Sequence, residues 1–448
     1  MPIAELTRKL HAGHTFAIII GTVIGSGVFI TLPIVVRETG SPMLAVLAWL
    51  IGGLIWIPQI LILAEMGTAY PQEGFGYLYL RKAGSKPLAF LYVWTVFWTS
   101  DTPSITIIAL SASSALSIFW PALDGTIVGK IFAAALIAIL TSVHYRDVRS
   151  GGNLQVLLTI AKISPLILIV VLGMFYLDSG NLSASPVATT AIGGTWALLL
   201  AGVAATTWSY AGFPNILYMA GEIKEPQKNL PRALIGSAIG IMLAYTLIAL
   251  ATSAIVPHEK LVTYVDSFAN PFEHLPAFAN MAAAFLAIAA FISMVGAANA
   301  CIMVQPRIEY AIAKDGLFFA PFAHVHPRFR TPDYSILLQS GLAIVLLFVG
   351  NIEALLGYFT LSYILQNALV YAAIFRLRRM PDYSPSYTAP VWPVMATLAI
   401  LTQFFLIYGT YKAFPVEGVV AAAVLIFSGL PIYYYFDKGL KLKREPLV

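Results

Sequence analysis

Apolar residues in this chain fall in long runs separated by short polar segments. The runs lie near 16–36, 42–66, 87–117, 126–143, 153–177, 194–220, 233–256, 276–305, 334–350, 354–375, 390–412 and 416–436. Each has about 17 residues or more, enough for a helix to cross a hydrocarbon core ~30 Å thick. The pattern predicts an all-α integral membrane protein of twelve transmembrane helices with both termini on one side. The third and eighth runs exceed the required length, which predicts tilt. The longest outer loop, about Pro257 to Leu275, is mixed and polar, and nothing between the runs reads as a soluble domain.

Two runs are interrupted where a helix least tolerates it. The first carries Ile24, Gly25, Ser26 and Gly27 near its middle, and the sixth carries Trp208-Ser209-Tyr210-Ala211-Gly212-Phe213-Pro214. Glycine weakens a helix by roughly 1 kcal/mol relative to alanine and lets another group approach the backbone. Packing of small residues between helices would explain one such stretch. Two, opening the first and second sets of five helices, point instead to discontinuous helices at a transport site. Helix one enters from the inside and helix six from the outside, so the halves have opposite topology. The reading is one transporter domain over 1–436, with inverted repeats at about 13–177 and 194–376, two further helices at about 390–436 and a basic tail at 437–448.

Composition agrees with the membrane reading. The chain of 448 residues is 59% hydrophobic and 10% charged, against about 25% charged in a soluble domain. The first apolar run is too long for a signal peptide and reads as a retained span. With the N-terminus inside, inner segments hold 21 of the 26 basic residues; Arg37, Lys130, Lys260 and Lys412 lie outside, and Lys162 lies within a span. That asymmetry is the positive-inside rule. It places the protein in the cell membrane as a multi-pass protein with cytoplasmic termini, and the net charge of +5 then needs no nucleic-acid partner. Trp120, Trp196 and Trp392 sit where interfacial belts are expected. One cysteine, Cys301, excludes an internal disulfide and reads as a buried thiol.

The interruptions suggest what is carried. Unwinding at Gly25–Gly27 leaves N–H groups at the positive end of the outer half-helix, which suits a carboxylate. Unwinding around Ser209–Gly212 frees carbonyls that suit an ammonium group. Together they describe a receptor for the constant part of an α-amino acid. Lys162 lies about 20 Å into the membrane from Arg149 at 1.5 Å per residue, and an ionisable group there is a functional candidate by default. It could bond to carbonyls of the unwound first helix in place of a coupling cation, or it could carry a proton. Asp101, beside Pro103 in span three, is the other odd residue, with Lys162, a substrate amine or neighbouring hydroxyls as its partner. Glu65 and Glu309 fall near cytoplasmic span ends, where solvation or ion pairing is expected. The seven histidines fall in termini and loops, and His324-Val325-His326 would hold a metal only if further ligands converged. No metal or cofactor is predicted. A channel would want a continuous polar lining and an enzyme a nucleophile with its base; neither is evident.

The segment Gly21-Thr22-Val23-Ile24-Gly25-Ser26-Gly27-Val28-Phe29 resembles the first-helix signature of the L-type amino acid transporters, within the amino acid–polyamine–organocation superfamily. Trp208 through Asn215 is similar to that family's sixth-helix break. Gly221 through Arg232, Arg307 through Gly316, His324 through Pro327 and Thr331-Pro332 resemble its loops, so the match runs from about residue 13 to 390. The resemblance implies a five-plus-five inverted-repeat (LeuT-type) fold and sodium-independent, usually obligatory exchange of amino acids. It implies that Lys162 stands where sodium-coupled relatives hold a sodium ion. Ala211 stands where many members have glycine, and Trp208 stands where an aromatic gate, often phenylalanine, is common, which predicts small to medium neutral substrates. Asp101 has no counterpart in the family pattern, so proton-coupled symport through Lys162 or Asp101 stays open. Relatives that bond to a heavy-chain glycoprotein use a cysteine between spans three and four. None lies there, so no disulfide-linked heavy chain is expected.

Overall fold

The computed structural model describes residues 5–25, 27–183, 194–264, 269–349, 352–413 and 416–444. Among them there is no strand, only isolated bridges at Leu10–Ile223 and Glu73–Met219. The helices are α1 (Ala12–Val23), α2 (Gly27–Thr39), α3 (Pro42–Ala69), α4 (Phe75–Lys82), α5 (Lys86–Val96), α6 (Thr102–Ala115), α7 (Ile127–Arg146), α8 (Val148–Phe175) and the short α9 (Ser179–Leu182). They continue with α10 (Gly194–Thr206), α11 (Pro226–Ile255), α12 (His258–Leu261), α13 (Ala282–Val304), α14 (Arg307–Lys314), α15 (Asp333–Leu346), α16 (Ile352–Ala372), α17 (Ile374–Leu377), α18 (Trp392–Ala413) and α19 (Glu417–Arg444). Every predicted apolar run is met by helix or interrupted helix. Six helical segments among the described residues are individually long and apolar enough to cross a bilayer. The others are shorter or broken, so helix length alone counts six crossings.

Local chemistry sets the ends and interruptions. Thr126 caps α7 by accepting from the Val128 and Gly129 amides, and Asp147 caps α8 by accepting from Ser150 at 3.0 Å. The third run is not one α-helix: a π-turn, Phe97–Asp101, joins α5 to α6. Pro103 lies just beyond and brings no N–H, so the ladder is already weakened there. The sixth run stops being α-helical at Thr206. It continues through 3-10 turns at Thr207–Tyr210 and Phe213–Tyr218, so the expected second half-helix is a tighter coil.

Packing brings the interrupted helices to the centre. α11 lies along α3, α10 against α2 and α3, and α1 against α8 and α11, while α13 packs on α6 and α8. Close approach is possible because α3 turns Gly52 toward Thr206 and Gly53 toward Met242, where added Cβ atoms would meet side chains at 2.0 and 2.4 Å. Trp49, Tyr210 and Tyr245 fill the junction of α3, α11 and the sixth-helix break as a cluster of rings 5.2–5.9 Å apart.

One end of the bundle gathers the segments rich in basic residues. The N-terminal strap is tied to the loop after the sixth run by Leu10 N to Glu222 O at 3.0 Å and Lys224 N to Leu10 O at 2.8 Å. Lys9 pairs with Asp147, Arg81 with Asp315, Lys82 with Asp382 and Arg307 with Glu222. Glu65 is fully buried and ion-paired, accepting from Arg378 at 2.6 and 2.7 Å, from the Tyr383 hydroxyl and from the Ala389 amide. Removing one member of a buried pair strands the other, at a cost of about 3–5 kcal/mol. Glu65→Ala should therefore lower the melting temperature of the detergent-purified protein well below that of Arg37→Ala, whose exposed pair with Glu38 is worth at most about 1 kcal/mol. Equal melting of the two variants would show that Glu65 is not a brace.

The structure revises three smaller expectations. Glu309 is 1% exposed and bonded to Gln339 rather than solvated or ion-paired. His14 and His144 are packed within α1 and α7, with ring nitrogens 2.9 Å from Asn153 and Asn299. Trp392 is half-buried under the Arg378 guanidinium instead of belonging to an exposed belt; Trp120 and Trp196 are exposed.

Candidate functional site

The first break begins where α1 ends at Val23 and Ile24 turns to an extended conformation (ψ 100°). Ile24 and Gly25 are non-helical, Ser26 lies outside the described residues, and α2 starts at Gly27. The carbonyls this releases are taken up by neighbouring helices. Lys162 of α8, 2% exposed, donates to Gly21 O at 3.1 Å and Ile24 O at 2.6 Å. Ser293 of α13 donates to Gly25 O at 3.1 Å, and Tyr245 of α11 to Val23 O at 3.3 Å. One turn earlier, Gln155 and Thr159 of α8 donate to Ala17 O. An unwound segment thus persists in an apolar bundle because side chains of three helices replace its lost hydrogen bonds.

The second break abuts the first. Gly212 has φ +119°, a conformation that excludes most side chains. A Cβ there would meet Thr22 O at 2.6 Å. Thr22 also donates its hydroxyl to Gly212 O at 3.1 Å. Ser209 donates to Thr31 Oγ1 at 2.9 Å, tying the sixth-helix break to α2. Gly212→Ala should therefore misplace both breaks at a backbone cost of about 1–3 kcal/mol. Its expected result is loss of transport together with lowered thermal stability, read from vesicle uptake and melting of the purified protein. A variant with parental uptake would show that the junction tolerates a methyl group.

The other predicted residues divide into framework and lining. The Tyr210 ring is 1% exposed and its hydroxyl donates to Trp49 O at 2.8 Å, so its side chain is framework and only its backbone can face a ligand. Ala211 is partly buried against the core, and the Trp208 side chain lies outside what is described. Gly25 differs: a Cβ added there meets nothing within 4 Å among the described residues. Open space beside the freed backbone is what a ligand requires. Asp101 is not bonded to Lys162; it sits at the end of the π-turn, 2% exposed, with Oδ2 unpartnered. Cys301 is a buried free thiol. The His324 Nδ1–H donates to the Asp333 carboxylate at 2.7 Å, and no group of three metal-ligating side chains occurs among the described residues.

Two abutting discontinuous helices, with a buried lysine on the freed carbonyls, are the framework of a membrane carrier. Comparison of the sequence with protein families decides which. Residues 13–434 match the profile of the family described as amino acid permease. The chain belongs to that family. It is a multi-pass membrane transporter rather than an enzyme.

Among individual relatives of this permease, the serine/threonine exchanger SteT of Bacillus subtilis (strain 168) is 28% identical over 442 residues, covering 96% of this chain and 97% of the relative. The b(0,+)-type amino acid transporter 1 of Mus musculus is 26% identical over 447 residues, covering 96% and 88%. The cystine/glutamate transporter of Homo sapiens is 24% identical over 437 residues, covering 96% and 86%. The permease also carries residues that sequence reasoning passed over: Thr22, Ser293 and Tyr245. Each is a lone polar group on an apolar run, and only its contact with a freed carbonyl or with Gly212 separates it from ordinary helix decoration.

Proposed function

We propose that this protein carries amino acids across the cell membrane by alternating access, as a sodium-independent exchanger of small to medium neutral L-amino acids. The observation that carries the reading is the junction of the two breaks at Thr22 and Gly212. Substrate carboxylate would meet the N-terminal amides of α2, whose dipole favours an anion. Substrate ammonium would meet carbonyls around Thr207–Ala211. The substrate-facing set is then Ile24, Gly25, Ser26 and Gly27 with Trp208, Ser209, Tyr210, Ala211 and Gly212. Lys162 supports sodium independence, because its ammonium already sits on the Gly21 and Ile24 carbonyls where a cation would be needed.

Packing of α2 with α10, α3 with α11 and α6 with α13 supports the inverted repeat, since it joins spans one with six, two with seven and three with eight. The gathering of the basic segments at one bundle end supports cytoplasmic termini and tail. The likeness to SteT, a serine/threonine exchanger, supports both exchange and small neutral substrates. The absence of a cysteine between spans three and four supports a chain that works without a disulfide-linked heavy chain.

Reconstituted vesicles test this. Labelled L-serine should enter when unlabelled L-serine is inside, enter far more slowly when none is, and ignore replacement of sodium by choline. Equal uptake into empty and loaded vesicles would contradict exchange. Competition with alanine, serine, leucine, tryptophan, arginine and glutamate tests the pocket. An extra methyl in a packed site costs about 1–3 kcal/mol, or roughly ten- to a hundredfold in affinity. Alanine and serine should compete best, and tryptophan or arginine competing better would refute the small neutral pocket.

A further inference from the structure

Two buried carboxylates, Asp101 and Glu309, form no ion pair among the described residues. Glu65 and Glu222 are fully buried, and each is neutralised by an arginine, Arg378 or Arg307. Asp101 and Glu309 are as deeply buried, 2% and 1% exposed. The charge that acts on Asp101 is that of Glu309, a like charge. Each acid keeps one oxygen, Oδ2 or Oε2, without a partner.

Among the described residues the surroundings offer polar groups but no cation bonded to either acid; Lys162, beyond Cys301, is held by the Gly21 and Ile24 carbonyls. Gln339 of α15 donates to Glu309 Oε1 at 2.6 Å and leaves its own Oε1 unpartnered. Gln305, 3% exposed, donates to Ser104, whose hydroxyl returns to Asp101 O at 2.9 Å; the Gln305 Oε1 is again unpartnered. The titratable groups facing Asp101 are Tyr92 of α5, Tyr218, Cys301 of α13 and Tyr363 of α16, all neutral hydroxyls or a thiol. On the segment that carries Glu309, Arg307 is spent on Glu222 and Lys314 lies over the Tyr310 ring. Glu309 also borders a cavity of about 290 Å³ whose other walls include Phe97, Trp98 and Phe318.

Two buried like charges within each other's field and without a counter-ion are strongly disfavoured, and a proton on either removes the conflict. We propose that Asp101 and Glu309 form a proton-binding carboxyl pair on the transport route, holding at least one proton in this conformation and releasing it when the bundle opens. The inference rests on the amino-acid-transport reading and deepens it. During exchange the proton returns with the outgoing substrate, and during net uptake it is left inside. The π-turn that ends at Asp101 gives this acid a movable mounting between α5 and α6.

The test uses the full chain. Infrared difference spectra of the purified parent, taken across a pH titration, should show the C=O band of a protonated carboxyl, diminished in Glu309→Gln and in Asp101→Asn. The amide variants mimic the protonated acids in size and charge, and the titration of the parent band stands without them. In vesicles without internal amino acid, an acidic exterior should drive accumulation of labelled L-serine by the parent. About one pH unit supports up to about tenfold accumulation for one proton per substrate. Glu309→Gln should lose that response while still exchanging at equal pH. Absence of the band, or the same gradient response in Glu309→Gln as in the parent, would overturn the pair. Counterflow on the same vesicles reports exchange separately, so failure of the pair and failure of the exchange reading give different results.

Discussion

Replacing Gly25 with leucine should abolish amino acid transport and leave the purified protein as monodisperse and as heat-stable as the parent. The expectation follows from an asymmetry between the two breaks. At Gly212 a Cβ would strike the backbone of Thr22. At Gly25 a Cβ meets nothing within 4 Å among the described residues, so none of these resists a side chain there. What the leucine fills is the space beside the first turn of α2. The Gly25 carbonyl stays bonded to Ser293, and Ile24 to Lys162. A loss of at least about a hundredfold in apparent affinity, near 3 kcal/mol, is expected. Melting curves and vesicle uptake on the same preparation check both halves. Parental uptake in Gly25→Leu would place the substrate elsewhere.

Lys162→Ala should slow exchange at least about tenfold, because it deletes two charge-assisted hydrogen bonds worth about 1.5–3 kcal/mol each. The Gly21 and Ile24 carbonyls would be left unpaired in an apolar bundle, and the first break would lose its tie to α8. Lys162→Arg should not rescue it. Gly296 leaves so little room that its own added Cβ would lie 2.9 Å from Lys162 Cε, and a guanidinium needs more. Exchange rates and melting temperatures of both variants check this, with the rate affected more than the stability. Unaltered rate and affinity in Lys162→Ala would remove the lysine from the mechanism.

Much of this geometry could be read from the chain because membrane burial makes exceptions conspicuous. A Gly-Ser-Gly in an apolar run, a Gly and Pro in another and one lysine far from either end are costly unless something compensates, and the structure supplies the compensating bonds. Glu65, read from its place near a span end as solvated or ion-paired, proves ion-paired and fully buried. Glu309 was not legible as buried. It follows Arg307 and precedes Lys314, a pattern that reads as a solvated turn, and only the packing of Gln339 over it buries it. His14 and His144 near helix ends gave no hint of Asn153 and Asn299 across the bundle. Pro103 signalled a disturbance in the third run but could not distinguish a kink from the π-turn that forms. The coil after Gly212 escaped notice because Pro214 allows a helix to start as readily as a 3-10 turn.

The central claim is that an α-amino acid is held by its ammonium and carboxylate in the angle between the two breaks. A structure of the protein determined with saturating L-serine tests it most directly. The account predicts ligand density beside Gly25, with carboxylate oxygens within about 3 Å of the first α2 amides and the ammonium within the same reach of the Thr207–Ala211 carbonyls. Ligand density at any other place, with the angle between Thr22 and Gly212 unfilled, would contradict it.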